Sequence, residues 1–85
     1  MMKETMTAEE MFIELDFMFI YESDDVLEFS KTNKGGRDIV GFIKKSKEVE
    51  CYDENEKDMS KKPLFVDGKL LLAINKQFEE WGWIE

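Results

Sequence analysis

Residues 26–52 read VLEFSKTNKGGRDIVGFIKKSKEVECY, and this stretch decides the fold. It contains three runs rich in β-branched and aromatic residues, at 26–31, 37–43 and 47–52, a composition typical of strands. Only short turns separate these runs. A parallel connection needs about a dozen residues or more, so turns this short predict neighbouring antiparallel strands.

A further run, FMFIYE at residues 17–22, lies on the amino-terminal side of this stretch. The turn formers Ser23, Asp24 and Asp25 join it to the next strand. The four runs therefore predict a four-stranded antiparallel meander.

The first predicted helix begins at the sequence T-x-x-E formed by Thr7 and Glu10, which matches a capping box. Apolar residues then recur at helical spacing through Leu15. We expect this helix to stop near Asp16, at its C′ position, because the following residues favour a strand.

The second predicted helix runs over residues 68–81, with Asp67 as its N-cap and Gly82 at the C′ position. Glu79 and Glu80 lie near its negative end, where the helix dipole favours cations, so they are either solvated or face a basic partner. Its predicted buried stripe consists of Leu70, Leu71, Ile74, Phe78 and Trp81.

The element order α-β-β-β-β-α predicts an α+β fold, a four-stranded antiparallel meander with both helices packed on one face. The length of 85 residues fits a single domain over 1–85. Within it we expect a frayed leader at 1–6 and a polar loop at 53–63. Residues 64–66 (LFV) are expected to be extended, as a short edge strand or a strap across the core.

The composition argues against catalysis, because the chain contains no histidine and a single cysteine, Cys51. Imidazole bases and the usual cysteine–histidine metal sites are therefore excluded. We expect a protein that is not an enzyme and has no cofactor. With no disulfide framework and no run of about 20 apolar residues, the expected location is the cytoplasm, away from the membrane.

Residues 53–58 read DENEKD and invite comparison with a calcium-binding loop. The comparison fails at Lys57, at Asp58 where glycine is needed, and at Leu64 where the closing glutamate belongs. A solvated loop is the better interpretation. An enzyme remains open only if aspartate and glutamate side chains alone form a metal site.

The net charge of −8 disfavours nucleic acid and anionic membranes as partners. It permits an alternative function, an acidic inhibitor that mimics nucleic acid and occupies the basic groove of a host defence enzyme. The carboxylates that could serve this mimicry are Glu22, Asp24, Asp25, Glu48, Glu50 and the run 53–58.

Both faces of the predicted sheet carry apolar residues. In the first predicted strand, Met18 and Ile20 lie on the opposite face from the aromatic residues. In the third, Val40 and Phe42 lie on the opposite face from the two isoleucines. Helices on one face leave the other uncovered, and an exposed apolar patch usually marks an interaction surface. We therefore predict that Met18, Ile20, Val40 and Phe42 bind a protein partner or form a homodimer. The alternative is that the segment 53–66 covers this face.

Two segments carry a resemblance to a known family. They are MTAEEMF at 6–12, with Glu14 and Leu15 closing the helix, and AINKQ at 73–77 continuing through EEWGW at 79–83. The chain resembles a family of small uncharacterised proteins encoded by phages and prophages of low-GC Gram-positive bacteria. Glycine usually follows the leucine in that family, whereas Asp16 stands here. The resemblance implies a phage-associated role in a bacterial cytoplasm, and no activity or site residues.

Overall fold

The computed structural model describes residues 6–83, so the expected leader at 1–6 lies almost wholly outside the described residues. The helices and strands, in chain order, are α1 (Ala8–Glu14), β1 (Met18–Glu22), β2 (Val26–Asn33), β3 (Gly36–Ile43), β4 (Glu48–Asn55), β5 (Lys61–Pro63) and α2 (Gly68–Glu80).

The fold is α+β, as predicted. The strands form one antiparallel sheet in the order β1-β2-β3-β4-β5, with β1 and β5 at its two edges. Both helices pack on the same face, because their buried side chains share one cluster with the strand residues of that face. The buried members of this core are Phe12, Phe17, Leu27, Phe29, Val40, Phe42, Leu70, Ala73 and Ile74.

Helix α1 begins and ends as the sequence predicts. The Thr7 hydroxyl accepts from the amide of Glu10, and the Glu10 carboxylate accepts in return from the amide of Thr7. At the other end Asp16 has a positive φ of 71°, and the amide of Phe17 donates to the carbonyl of Phe12. This hydrogen bond defines a Schellman motif, and its usual apolar contact is the edge-to-face pair of Phe12 and Phe17.

Helix α2 also has the predicted caps. The carboxylate of Asp67 accepts from the amide of Leu70, and Gly82 adopts the left-handed conformation with φ 72°. The amide of Trp83 donates to the carbonyl of Phe78, and the two rings lie 5.3 Å apart. The predicted stripe was wrong at Leu71, which is half-exposed, because the core-facing positions follow Leu70 at Ala73, Ile74 and Gln77.

The sheet has five strands rather than four. Strand β4 continues to Asn55, and the short strand β5 lies inside the predicted loop 53–63. Segment 53–66 therefore extends the sheet at its edge instead of covering the helix-free face. Leu64 packs against the core beyond β5, whereas Phe65 is 96% exposed.

The prediction that Val40 and Phe42 lie on the exposed face was wrong. Both side chains are fully buried beneath the helices. The register explains the difference, because β2 and β3 pair with Phe29 opposite Val40 and Leu27 opposite Phe42. Directly opposite residues share a face, so the two β3 residues follow Leu27 and Phe29 into the core.

Candidate functional site

Strand β1 is the most unusual surface of the described chain. All five of its residues are exposed, and four of them are large and apolar: Met18 at 68%, Phe19 at 48%, Ile20 at 39% and Tyr21 at 52%. The strand forms one edge of the sheet, so its outer side also presents backbone groups that pair with no described strand. Exposed apolar side chains and an open sheet edge therefore coincide here.

A β-bulge divides the side chains of β1 between the two faces of the sheet. Met18 pairs with Ser30 and belongs to the helix-free face, whereas Phe19 pairs with the core residue Phe29. The register then shifts, so that Tyr21 is opposite Glu28 and returns to the helix-free face. Ile20 is the additional residue at this shift. The result is an apolar edge that is accessible from both faces.

The helix-free face beside β1 is acidic. The Glu28 side chain lies over Gly41, with its Cγ 3.7 Å from the point that a Cβ on this glycine would occupy, and Glu50 is opposite Gly41 on the far side. Burial raises the pKa of the Tyr52 phenol, and the negative charges of Glu28, Glu54 and Glu50 raise it further. The charge of Arg37 lowers this pKa, but the three carboxylates outweigh it, so negative charge prevails around Tyr52.

On the helix side, β1 borders an open groove of about 470 Å³. Its walls combine apolar and aromatic side chains with carboxylates that come from α1, β1 and the end of α2. The apolar and aromatic walls include Phe19, Leu27 and Trp81, and the carboxylates are those of Glu9, Glu22 and Glu80. This acidic and aromatic lining suits a cation better than an anion.

One lysine of the chain, Lys44, contacts two residues that line this groove, Glu22 and Trp81. The Lys44 Nζ donates to the Glu22 carboxylate at 2.8 Å and to the carbonyl oxygen of Ser23 at 2.7 Å. The same Nζ lies 5.4 Å from the centre of the Trp81 ring. With Lys44 counted against Glu9, Glu22 and Glu80, the groove retains a net negative charge.

The β4–β5 turn satisfies its own polar groups. The Asn55 side-chain oxygen accepts from the amides of Lys57 and Asp58, and the Asp58 carboxylate accepts from the amide of Ser60. Within residues 6–83, no three acidic or cysteine side chains lie close enough together to hold a metal ion. The turn is therefore explained by its local hydrogen bonds.

Cys51 lies in β4, and its side chain packs against the core. It is half-buried, and this burial raises the pKa of its thiol. A raised pKa keeps the sulfur protonated near neutral pH, which makes it a poor nucleophile.

The structure divides the four predicted contact residues. Met18 and Ile20 are exposed on β1, whereas Val40 and Phe42 belong to the core. Sequence reasoning missed Phe19 and Tyr21 as exposed neighbours of Met18. An alternating pattern alone does not reveal a bulge, so the sequence carried no clear signal for the position of Tyr21.

Comparisons of the chain with protein-family models, with curated proteins and with solved structures found no match. The resemblance to the phage family stays a prediction that rests on the terminal motifs. Separately, neither described helix is long and apolar enough to cross a membrane.

Proposed function

We propose that this chain is a non-catalytic protein that acts by binding a protein partner through β1 and the surfaces on either side of it. The observation that carries the proposal is the row Met18–Glu22, in which four consecutive large apolar side chains are exposed at an open sheet edge. Exposed edges of this kind are normally covered or blocked because they pair with other chains. A partner that covers β1 would remove this apolar surface from water.

The carboxylates of the helix-free face favour a different protein, and not a second copy of this chain, as the partner. A homodimer through the helix-free face stays a prediction, but it would bring together two copies of a face that contains Glu28, Glu48 and Glu50. Like charges in contact destabilise an interface. A partner with basic residues has no such penalty.

The alternative function, an inhibitor that mimics nucleic acid, has weaker support. Mimicry needs carboxylates without intervening cations, but Arg37 pairs with Glu54 at 3.4 Å on the helix-free face. Lys61 lies on that face too, with its Nζ 4.8 Å from the centre of the Tyr52 ring. Positive charges are therefore interspersed where a phosphate-like pattern would be needed.

The setting of this function is proposed from the family resemblance. It supports a phage-associated role in a bacterial cytoplasm, and a lysate of a low-GC Gram-positive bacterium is the appropriate source of partners.

The test compares capture by two double variants in which apolar side chains are replaced by glutamate. Met18→Glu with Tyr21→Glu alters β1, whereas Leu71→Glu with Leu72→Glu alters an equally exposed part of α2 and serves as the matched control. Circular dichroism verifies that both fold. We expect a protein captured by the parent and by the control but lost with the β1 variant. Equal capture by both variants would contradict the proposal.

A further inference from the structure

We propose that the partner contributes a basic, extended segment, which adds to the sheet beside β1 and places a lysine or arginine side chain in the groove. This inference rests on the proposed function and specifies the chemistry of the partner.

The open edge of the sheet at β1 can accept a further strand. An extended segment beside β1 would pair with backbone groups that no described strand uses, as in other cases of strand addition. Side chains of an added strand alternate between the two faces of the sheet. One set would then lie over the groove, near Phe19, and the other over the helix-free face, near Met18 and Tyr21.

The groove determines the kind of side chain. Glu9, Glu22 and Glu80 provide carboxylates, and the rings of Phe19 and Trp81 provide apolar walls. Lysine and arginine combine a long apolar stem with a cationic end, so they match both parts of this lining. A carboxylate of the partner would be repelled.

Lys44 demonstrates this chemistry within the chain itself. Its ammonium group binds the Glu22 carboxylate and lies over the Trp81 ring at the same time. A second cation has Glu9 and the remaining acceptor capacity of Glu80 available. Glu80 uses one oxygen, Oε2, to accept from the backbone amide of Ala8.

A second copy of β1 does not meet this requirement. The strand that it would offer reads MFIYE, which contains one acidic residue and no cation. The net charge of −8 on each chain adds repulsion over a longer distance. The charge of the groove therefore favours a basic segment from another protein.

The bulge in β1 limits how strong the backbone pairing can be. Because Ile20 interrupts the regular register, only short runs of backbone on either side are available to a new strand. Side-chain contacts in the groove must then supply a large share of the affinity, which makes binding sensitive to charge and salt.

The experiment uses capped synthetic peptides of alternating valine and lysine, with tryptophan fluorescence and calorimetry as readouts. The matched peptides replace lysine by glutamine or glutamate, or carry N-methyl groups at alternate residues, which block backbone pairing. We expect the lysine peptide to bind at least about 5-fold more tightly than the glutamine peptide. The glutamate and N-methylated peptides should not bind measurably, and added salt should weaken binding.

A pair of protein variants with the same change of charge locates the site. Glu9→Gln removes a groove carboxylate, whereas Glu56→Gln removes one from the β4–β5 turn at the opposite end of the strands. We expect Glu9→Gln to weaken the lysine peptide by about 2- to 5-fold and Glu56→Gln to leave it unchanged.

The outcomes separate this inference from the proposed function. Equal binding of all peptides, or of both protein variants, would overturn the basic-strand inference even if the β1 double variant still loses its captured partner. Light scattering that shows a dimer dissociated by Met18→Glu would also overturn it, since a second copy would then occupy β1. If the captured partner survives the β1 double variant, the proposed function itself fails.

Discussion

The Glu80 carboxylate accepts a 2.7 Å hydrogen bond from the backbone amide of Ala8, which joins the last turn of α2 to the first turn of α1. Glu80 is unfavourably placed with respect to the dipole of its own helix, whose last turn contains no basic residue. The adjacent positive end of α1 offsets this. An acidic residue that opposes the dipole of one helix thus caps the other, where Ala8 is completely buried.

Replacing Glu80 by glutamine should lower the free energy of unfolding by about 1 kcal/mol, because a charged acceptor at the amino-terminal end of a helix is lost. Glu79→Gln is the control, since Glu79 makes only a 3.9 Å contact with Lys76. Its effect should stay within about 0.5 kcal/mol. Urea denaturation measures both, and equal effects of the two substitutions would contradict the role of Glu80.

Much of the fold follows from local signals in the sequence. The alternation of Leu27 and Phe29 defines β2, and the capping residues Thr7 and Asp67 locate the helices. Each of these signals acts between residues that are near in sequence, so tertiary contacts are not needed to read it. Short turns then restrict the strands to an antiparallel order.

The faces of β3 did not follow from the sequence because both contain apolar residues. The face that meets the helices is set by the register with β2, which depends on the number of residues in the turn. The structure pairs Asn33 with Gly36, leaving only two residues between the strands. The strands predicted at 26–31 and 37–43 are separated by five residues, so the register stayed open, and with it the placement of Val40 and Phe42.

The candidate site was only half predictable for a related reason. Met18 and Ile20 were identified by their apolar character, and both are exposed. The groove brings together Glu9, Glu22 and Glu80, which are far apart in sequence. No local sequence pattern indicates that these three side chains line the same groove.

The corrected faces of the sheet can be tested by a pair of truncations to alanine. Phe42→Ala should cost about 3–5 kcal/mol, because the ring is fully buried and contacts Phe12, Phe78 and Trp81. Met18→Ala, in an exposed side chain, should change stability by no more than about 0.5 kcal/mol. Thermal and urea unfolding measure both, and a mild effect at Phe42 would contradict its place in the core.

Asp16 can be improved as a helix terminator. Its φ of 71° is costly for a residue with a Cβ, and its charge lies at the negative end of α1. We expect Asp16→Gly to raise the free energy of unfolding by about 0.5 kcal/mol, after the greater flexibility of glycine in the unfolded chain is included. Asp16→Asn removes the charge but keeps a side chain with a Cβ, so it measures the effect of the charge on stability separately from that of the backbone conformation. A loss of stability in Asp16→Gly would contradict this account.

Gly36 and Gly35 are adjacent but should respond differently to alanine. A Cβ at Gly36 would overlap the backbone carbonyl oxygen of Glu54 in the neighbouring strand, whereas a Cβ at Gly35 meets nothing within 4 Å. Since the Glu54 backbone is held in the β3–β4 ladder, Gly36→Ala should destabilise the protein by about 2 kcal/mol or more. Gly35→Ala should be nearly neutral. Similar melting temperatures for the two variants would contradict the close approach of β3 and β4.

Tyr52 reports the charge of the helix-free face. Burial, followed by the carboxylates of Glu28, Glu54 and Glu50, raises its pKa above the ordinary value of 10.0. Folding therefore favours the neutral phenol, so this contribution to stability is complete below the ordinary pKa of a tyrosine. It is lost as the pH rises from that ordinary value through the raised pKa of the folded protein, because over this interval the unfolded chain ionises first. In a Tyr21→Phe background, ultraviolet absorbance follows the ionisation of Tyr52 alone.

Removing one of these carboxylates should shift the titration in a known direction. Glu28→Gln should lower the pKa of Tyr52, because a negative charge that disfavours the phenolate is lost. Glu56→Gln, in the exposed turn after β4, should leave the midpoint in place. If Glu28→Gln does not shift the midpoint, the Glu28 carboxylate does not raise the pKa of Tyr52. The acidic character assigned to the face beside β1 would then be contradicted, and with it one reason for expecting a basic partner.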